Sequence, residues 1–117
     1  EVDEVLVATG RRPNTEGLGL EEIGVRVDEQ GVLVTPYLRT AVPHIFACGD
    51  VVGLASYSHM AEEMAKAAVQ NALLPISRRL RWDRVPWCTF TDPELAHAGW
   101  TAFQAGQKHI PVDVFSY

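Results

Sequence analysis

Residues 40–50 read T-A-V-P-H-I-F-A-C-G-D, and this stretch decides the interpretation of the fold. Its segment from Ile45 to Cys48 is apolar and suits a buried strand, after which Gly49 and Asp50 follow at once. Glycine lets a backbone approach a bulky group closely, and Asp50 places a carboxylate at the carboxyl end of the strand. Because ligands of open α/β sheets bind at that end of the strands, the Gly-Asp pair predicts part of a binding site.

Composition favours a globular domain with one modest core, since the chain has 117 residues, 47% of them hydrophobic and 21% charged. The net charge is -5, and the basic clusters at 11–12 and 78–81 are short and lack interleaved aromatic residues. We therefore expect no nucleic-acid partner. No apolar run approaches the roughly 20 residues that span a bilayer, and the first residues do not resemble a signal peptide. The sequence predicts no membrane association and a cytoplasmic location.

The cysteines and histidines are scattered. Cys48 and Cys88 lack the C-x-x-C spacing, so we expect both to be small buried apolar residues, with a structural disulfide as the less favoured alternative. The four histidines show no metal-ligand spacing, and we predict no metal site.

Two parts of the first half have the pattern of β-structure. Val2–Thr9 fits a short buried strand that ends at a glycine. Val25–Val27 and Val32–Val34 are β-branched runs separated by D-E-Q-G, which predicts a hairpin with Gly31 in the left-handed conformation.

A helix is predicted from His59 to Leu74, with Ser58 as its N-cap and Pro75 stopping it. It is rich in alanine and methionine, so much of its surface should pack closely against a sheet or a cofactor. Its first N–H groups and the positive end of its dipole would stabilise an electron-rich ring edge.

The second half begins with a polar segment, Pro75–Arg84, that we interpret as a linker and domain boundary. Val85–Thr91 is a strand candidate followed by a turn. Thr101 and Gln104 form a capping box for a short helix, and Pro111–Tyr117 is typical of a strand.

Asp50 suits a ligand with hydroxyl groups, because a hydrogen bond to a charged group contributes about 1.5–3 kcal/mol. A flavin would match both the carboxylate and the helix terminus, through its ribityl chain and its ring edge. The alternative that Asp50 only caps a turn stays open on these residues alone.

Three motifs occur in order: A-T-G-R-R-P-N at 8–14, the Gly-Asp pair, and F-T-D-P-E-L-A-H-A-G at 90–99. Together they resemble the class I pyridine nucleotide-disulfide oxidoreductases, especially the mercuric reductase-like and dihydrolipoyl dehydrogenase-like enzymes. The resemblance covers nearly the whole chain but only a central stretch of those enzymes. It therefore implies an internal fragment.

The resemblance implies two cofactors, FAD and NAD(P), and a set of residues that bind them. Asp50 would contact the flavin ribityl chain and Gly10 would lie near the nicotinamide nucleotide. His59 would serve as a packing and backbone-donor position, and neither a catalytic residue nor a metal ligand is implied. The implied cofactor-binding residues are Gly10, Gly49, Asp50, Ser56, Tyr57, Ser58 and His59.

The implied fold class is α/β: a fragment of a FAD/NAD(P)-binding Rossmann-like domain with a small antiparallel β unit, followed by the start of an α+β interface (dimerisation) domain. Residues 1–10 would end the NAD(P)-binding domain and residues 11–77 would form the returning half of the FAD-binding domain. Residues 78–117 would begin the interface domain, which implies a homodimer.

The implied activity is hydride transfer from NAD(P)H through flavin to a disulfide, dithiol or metal-ion substrate. These residues contain no G-x-G-x-x-G and no C-x-x-x-x-C motif, so we expect the chain alone to be inactive. The alternative is a stand-alone, non-catalytic binding or interaction module that retains flavoprotein motifs. The substrate and the choice between NADH and NADPH are left open.

Overall fold

The computed structural model describes residues 2–82 and 85–116, and within them short hairpins alternate with helices. The elements are, in chain order, β1 (Val27–Asp28), β2 (Gly31–Val32), a 3-10 turn (Asp50–Val52), α1 (Ser58–Leu73), β3 (Trp87–Thr89), β4 (Leu95–His97) and α2 (Ala102–Gln107). In this part of the chain β1 pairs with β2 and β3 with β4, both antiparallel.

The hairpin β1–β2 confirms the turn predicted at D-E-Q-G, although its strands are shorter than the predicted runs. Val27 pairs with Val32 and Asp28 with Gly31. The Asp28 carboxylate accepts hydrogen bonds from the backbone N–H groups of Gln30, at 2.8 Å, and Gly31, at 3.0 Å. Gly31 has φ 137°, the positive value that the turn requires.

The hairpin packs backbone against backbone on the 3-10 turn. A Cβ atom at Gly31 would collide with the carbonyl oxygen of Val51, and one at Gly53 would collide with the carbonyl oxygen of Gln30. Both positions therefore need glycine for space as well as for their positive φ. The segment that carries Asp50 is thereby fixed against the hairpin.

The predicted buried strands at Val2–Thr9 and Ile45–Cys48 do not form, and both predictions were wrong. Residues 2–9 are exposed, with Leu6 at 91%, and Phe46 makes only an isolated bridge to Arg39. A buried strand needs neighbouring strands to pair its backbone groups. Among the described residues no strand lies beside residues 2–9, so that segment stays solvated.

Helix α1 begins one residue earlier than predicted. Tyr57 is its N-cap, with extended φ and ψ, and Ser58 is the first helical residue; the prediction that Ser58 caps the helix was wrong. The helix ends at Leu73, two residues before the proline that prevents its continuation. Its buried face forms the core with two residues from other segments: Leu38, Met60, Met64, Ala67, Ala68 and Leu80.

The side chain of Asn71 on α1 helps to hold residues 75–82, in the predicted linker, against the helix. Asn71 is 7% exposed, and its amide donates to the backbone carbonyls of Tyr37, at 2.8 Å, and Arg78, at 2.9 Å. Its oxygen accepts from the N–H of Arg78 at 2.6 Å. Such a fully satisfied buried amide orders the segments that it joins.

Two more contacts fix the same segment. Leu80 is buried, and its N–H donates to the carbonyl of Pro36 at 2.9 Å. The Arg78 guanidinium pairs with the carboxylate of Glu63 on α1. The last two residues of the predicted linker, 83 and 84, lie outside the described residues.

The strand predicted within Val85–Thr91 is confirmed as β3, and the turn after it leads into β4. Pairs across this hairpin are Trp87 with His97, Cys88 with Ala96, and Thr89 with Leu95.

The capping box is also confirmed. The Thr101 hydroxyl accepts from the N–H of Gln104, and the Gln104 side chain accepts from the N–H of Thr101, both at 3.1 Å. The strand predicted from Pro111 does not form over residues 111–116, and Tyr117 lies outside the described residues. Across residues 2–82 and 85–116, no helix has the length and apolar character needed to cross a membrane.

Candidate cofactor-binding site

The Gly-Asp turn rests directly on helix α1. Gly49 is buried, with φ 80°, and its N–H donates to the sulfur of Met64 at 3.1 Å. A Cβ atom at Gly49 would lie 3.6 Å from the Cβ of Ala61, an ordinary contact, so the conformation rather than the space calls for glycine there. Asp50 then begins the 3-10 turn and is exposed.

Asp50 lines a cleft of about 470 Å³, named here the aspartate cleft. Two carboxylates and two guanidinium groups line it, those of Asp50, Glu29, Arg11 and Arg12. The carboxylates accept hydrogen bonds from hydroxyl groups, and the guanidinium groups donate to phosphate or carboxylate oxygens. The cleft thus suits a polyhydroxylated, anionic ligand.

A larger cleft of about 1000 Å³ opens at the start of α1 and is named here the helix cleft. Ser56, Tyr57, Ser58 and His59 all line it, so the structure brings together the four residues predicted along the flavin. Arg11 and Ser56 also line the aspartate cleft, so the two clefts adjoin at these residues. No side chain caps the N terminus of α1.

His59 joins the start of α1 to the residue that precedes β3. Its Nε2 lies 2.8 Å from the carbonyl oxygen of Pro86. Because a carbonyl only accepts, Nε2 carries the proton in this contact. The rings of Tyr57 and His59 stack, with centroids 5.5 Å apart.

Sequence reasoning missed the opposite wall of the helix cleft. That wall comes from hairpin β3–β4, where Trp87 and His97 are cross-strand partners with ring centroids 5.4 Å apart. The only local signal was an aromatic residue on each strand of a hairpin, which predicts that the two rings meet but not which cleft they face.

Gly10 lies outside the linings of both clefts. It has φ 117°, is exposed, and has no heavy atom within 4 Å of where a Cβ would stand. The structure therefore does not bring Gly10 to the other predicted site residues, and its role near a nicotinamide nucleotide stays a prediction.

Both cysteines are free thiols and are half-buried rather than fully buried. Cys48 packs against the core, and Cys88 lines the helix cleft. Within residues 2–82 and 85–116, no three His, Cys, Asp or Glu side chains gather as a metal site would need.

The resolved pKa shifts lie on α1, away from both clefts. A hydrogen bond from Arg78, reinforced by one from Lys66, lowers the pKa of Glu63. Hydrogen bonds to Glu62 and then Glu63 raise the pKa of Lys66. These exposed groups form a surface network and not a proton-transfer site.

A glycine-aspartate turn packed on a helix whose uncapped N terminus opens into a cleft is typical of α/β proteins that bind a nucleotide cofactor. The chain belongs to the pyridine nucleotide-disulphide oxidoreductase family, whose model matches residues 1–72. The family resemblance inferred from the three motifs is thereby confirmed.

Two relatives bear the names expected from that resemblance. A dihydrolipoyl dehydrogenase of Chlamydia trachomatis is 40% identical over 118 residues, covering 100% of this chain and 25% of that protein. A mercuric reductase of Staphylococcus aureus is 42% identical over 113 residues, covering 96% of this chain and 21% of that protein. The chain thus spans about a quarter of the length of these relatives.

A solved structure has the same fold over most of the chain. It is the HOCl-induced flavoprotein disulfide reductase RclA from Escherichia coli, with a TM-score of 0.74 and 29% identity. The match covers 86% of this chain and 23% of RclA. This likeness confirms the α/β class of the segment.

Proposed function

We propose that this chain forms part of the FAD site of an oxidoreductase that passes a hydride from NAD(P)H through flavin to a disulfide, dithiol or metal-ion substrate. The observation that carries the proposal is the bond from Gly49 N–H to Met64 Sδ. It holds the turn that carries Asp50 against α1, the helix whose N terminus opens into the helix cleft.

The residues present fit FAD in two ways. Asp50 is an exposed carboxylate in the aspartate cleft, free to accept from ribityl hydroxyls. Ser56, Tyr57, Ser58 and His59 line a cleft of about 1000 Å³ beside an uncapped helix terminus, which suits the flavin ring edge. Bound FAD would supply the two-electron centre between nucleotide and substrate.

The residues of this chain would orient FAD and would not react with it. Asp50 would act as a fixed acceptor in the aspartate cleft, and the N-terminal turn of α1 as a fixed donor in the helix cleft. Arg11, which lines both clefts, would order the crossover between them and stabilise an anionic group there. No proton transfer is assigned to His59, because its Nε2 proton is already directed to the Pro86 carbonyl.

The division of the chain is part of the same proposal. Residues 1–10 would end an NAD(P)-binding domain, with Gly10 near the nucleotide, and residues 11–77 would form the returning half of the FAD-binding domain. Residues 78–117, which contain hairpin β3–β4 and helix α2, would begin the interface domain of a homodimer. The four-fold greater length of the relatives supports an enzyme in which other segments complete the site.

The test uses a longer polypeptide that carries these residues together with the rest of the cofactor site. We expect it to purify yellow, and we expect Asp50→Asn to weaken FAD binding about tenfold or more, as loss of a charged hydrogen bond does. Asp113→Asn is the matched control, because Asp113 is exposed and lies outside the linings of both clefts. Equal FAD affinity in the two variants would remove Asp50 from the site.

Activity separates this proposal from the stand-alone binding module. NAD(P)H oxidation by the yellow protein, stimulated by a disulfide or by a metal ion, supports the enzyme. A longer polypeptide that stays colourless when FAD is supplied, and oxidises no NAD(P)H, supports the module instead.

A further inference from the structure

All three tryptophans of the chain, Trp82, Trp87 and Trp100, line one cleft of about 610 Å³. Tyr57 and His97 line it as well. We name it the tryptophan cleft. It lies next to the helix cleft, and Tyr57, Trp87 and His97 form the wall that separates the two.

The aromatic surfaces of this cleft are held in place but are not fully covered. Trp87 packs on His97 at 5.4 Å between ring centroids, and the His97 ring is fixed by a contact from Nε2 to the Gly99 carbonyl at 2.9 Å. Trp82 and Trp87 are half-buried, and Trp100 is 39% exposed. Flat apolar faces that remain open to water favour a flat apolar ligand, since stacking removes both surfaces from water.

The polar side of the cleft comes from helix α2 and the residue that follows it. Gln104 and Gln107 line the cleft, and Lys108 places its ammonium 5.4 Å from the centre of the Trp100 ring. Among the described residues of the lining, Lys108 carries the one formal charge, and it is positive. A cation is therefore disfavoured here, although aromatic residues alone would attract one.

We propose that the tryptophan cleft binds a planar aromatic carboxylate of one or two fused rings. The rings lie against the tryptophan faces, the carboxylate pairs with the Lys108 ammonium, and the two glutamine amides donate to its oxygens. This site goes beyond the proposed flavin function. It does not depend on that function, because Trp82, Trp100 and Lys108 lie outside the linings of the aspartate cleft and the helix cleft. Trp87 lines the helix cleft as well.

The probe for the test is naphthalene-2-carboxylate, titrated into the ¹⁵N-labelled chain of 117 residues and into the longer polypeptide. The indole N–H resonances of the three tryptophans report directly on the cleft. We expect all three to shift along one saturable curve. Naphthalene-2-carboxamide, which has the same rings without the charge, should bind about tenfold more weakly.

Lys108→Gln tests the charge. It should lower the affinity for the carboxylate about tenfold and leave the affinity for the amide unchanged. Lys66→Gln is the matched control, because it removes a lysine charge on α1 outside the cleft lining. The chain of 117 residues is titrated without FAD, so failure here is distinguishable from failure of the proposed function.

Three outcomes would overturn the proposal. Indole resonances that do not shift in either protein exclude the site. Equal affinity for carboxylate and amide excludes the anion preference, and equal losses in Lys108→Gln and Lys66→Gln reduce the effect to overall charge. Trp100→Leu provides a second check, since it should weaken carboxylate and amide alike by removing one ring face.

Discussion

The backbone N–H of Gly49 donates to the sulfur of Met64 across 3.1 Å, joining two residues 15 apart in sequence. Met64 is fully buried, so the glycine-aspartate turn is anchored to the core face of helix α1. The position of Asp50 relative to the start of that helix depends on this contact.

Met64→Leu should therefore be more costly than a methionine-to-leucine change normally is. Such volume-conserving changes usually cost less than about 1.5 kcal/mol, but here the buried Gly49 N–H also loses its acceptor, which adds about 1–3 kcal/mol. Met60→Leu is the control, because Met60 belongs to the same core cluster and makes no such bond. Urea unfolding that gives both variants the same free energy would show that the sulfur contact adds nothing.

Gly53→Ala and Gly17→Ala distinguish the energetic cost of a positive φ from the cost of a steric clash. The two glycines have φ 71° and 72°, but only at Gly53 would the new Cβ collide, with the Gln30 carbonyl oxygen. Gly17→Ala should cost about 1–2 kcal/mol for the left-handed conformation. Gly53→Ala should cost about 1–3 kcal/mol more, from overpacking. Equal unfolding free energies would mean that hairpin β1–β2 moves away freely from the 3-10 turn.

Asn71→Ala should be among the most destabilising polar substitutions in this chain. It leaves a backbone N–H and two carbonyls without their partner in a part-buried position, at an expected cost of about 1–3 kcal/mol. Gln70→Ala, the neighbouring control, removes a single exposed bond and should cost less than about 1 kcal/mol. Thermal unfolding measures both, and similar midpoints would contradict a stabilising role for the Asn71 hydrogen bonds.

His59→Ala should release Pro86 from the N-terminal turn of α1, whereas His59→Gln keeps an N–H donor. The indole resonance of Trp87, which follows Pro86, is the readout. It should move in the alanine variant and stay near its original position in the glutamine variant. Identical shifts in both variants would show that ring stacking with Tyr57, rather than the hydrogen bond, holds this wall.

The Glu63–Arg78 pair predicts a pH dependence in acid. Arg78 lowers the pKa of Glu63 below its usual 4.5, so the folded state binds this proton less readily than the unfolded state. The pair's contribution to stability is present above that value and is lost as the pH falls through the lowered pKa.

The measurement is the urea midpoint of the chain and of Arg78→Gln between about pH 7 and about pH 3 at low salt. The gap between them should close below the usual Glu63 pKa of 4.5. Lys66 stays charged throughout this range, because its pKa is raised from 10.5, and it is present in both proteins. A gap that stays constant down to the lowest pH would contradict the ion pair.

Local signals predicted local structure well. The D-E-Q-G turn, the end of α1 before Pro75 and the capping box at Thr101 each depend on a few neighbouring residues, and each is present. The strands predicted at 2–9 and 45–48 depend instead on partners elsewhere, and apolar character alone does not supply them.

The candidate site, too, was predicted only in part from the sequence. The resemblance implied that residues 56–59 lie along a flavin. All four line the helix cleft, and their role in binding a flavin stays a prediction. The resemblance gave no sign of Asn71, whose partner Tyr37 is 34 residues distant, or of Trp87 as a cleft wall. These contacts arise from the path of the chain, which short motifs do not encode.

The hydrogen bonds of Asn71 also fix the length of the chain between Asn71 and Arg78. The amide holds Arg78 by both its N–H and its carbonyl, so the six residues between them form a closed loop of set size. One inserted residue adds up to about 3.6 Å of chain, which is enough to carry Arg78 out of hydrogen-bonding reach. Insertions should therefore be tolerated poorly between Leu74 and Ile76 and readily in the exposed residues 111–116.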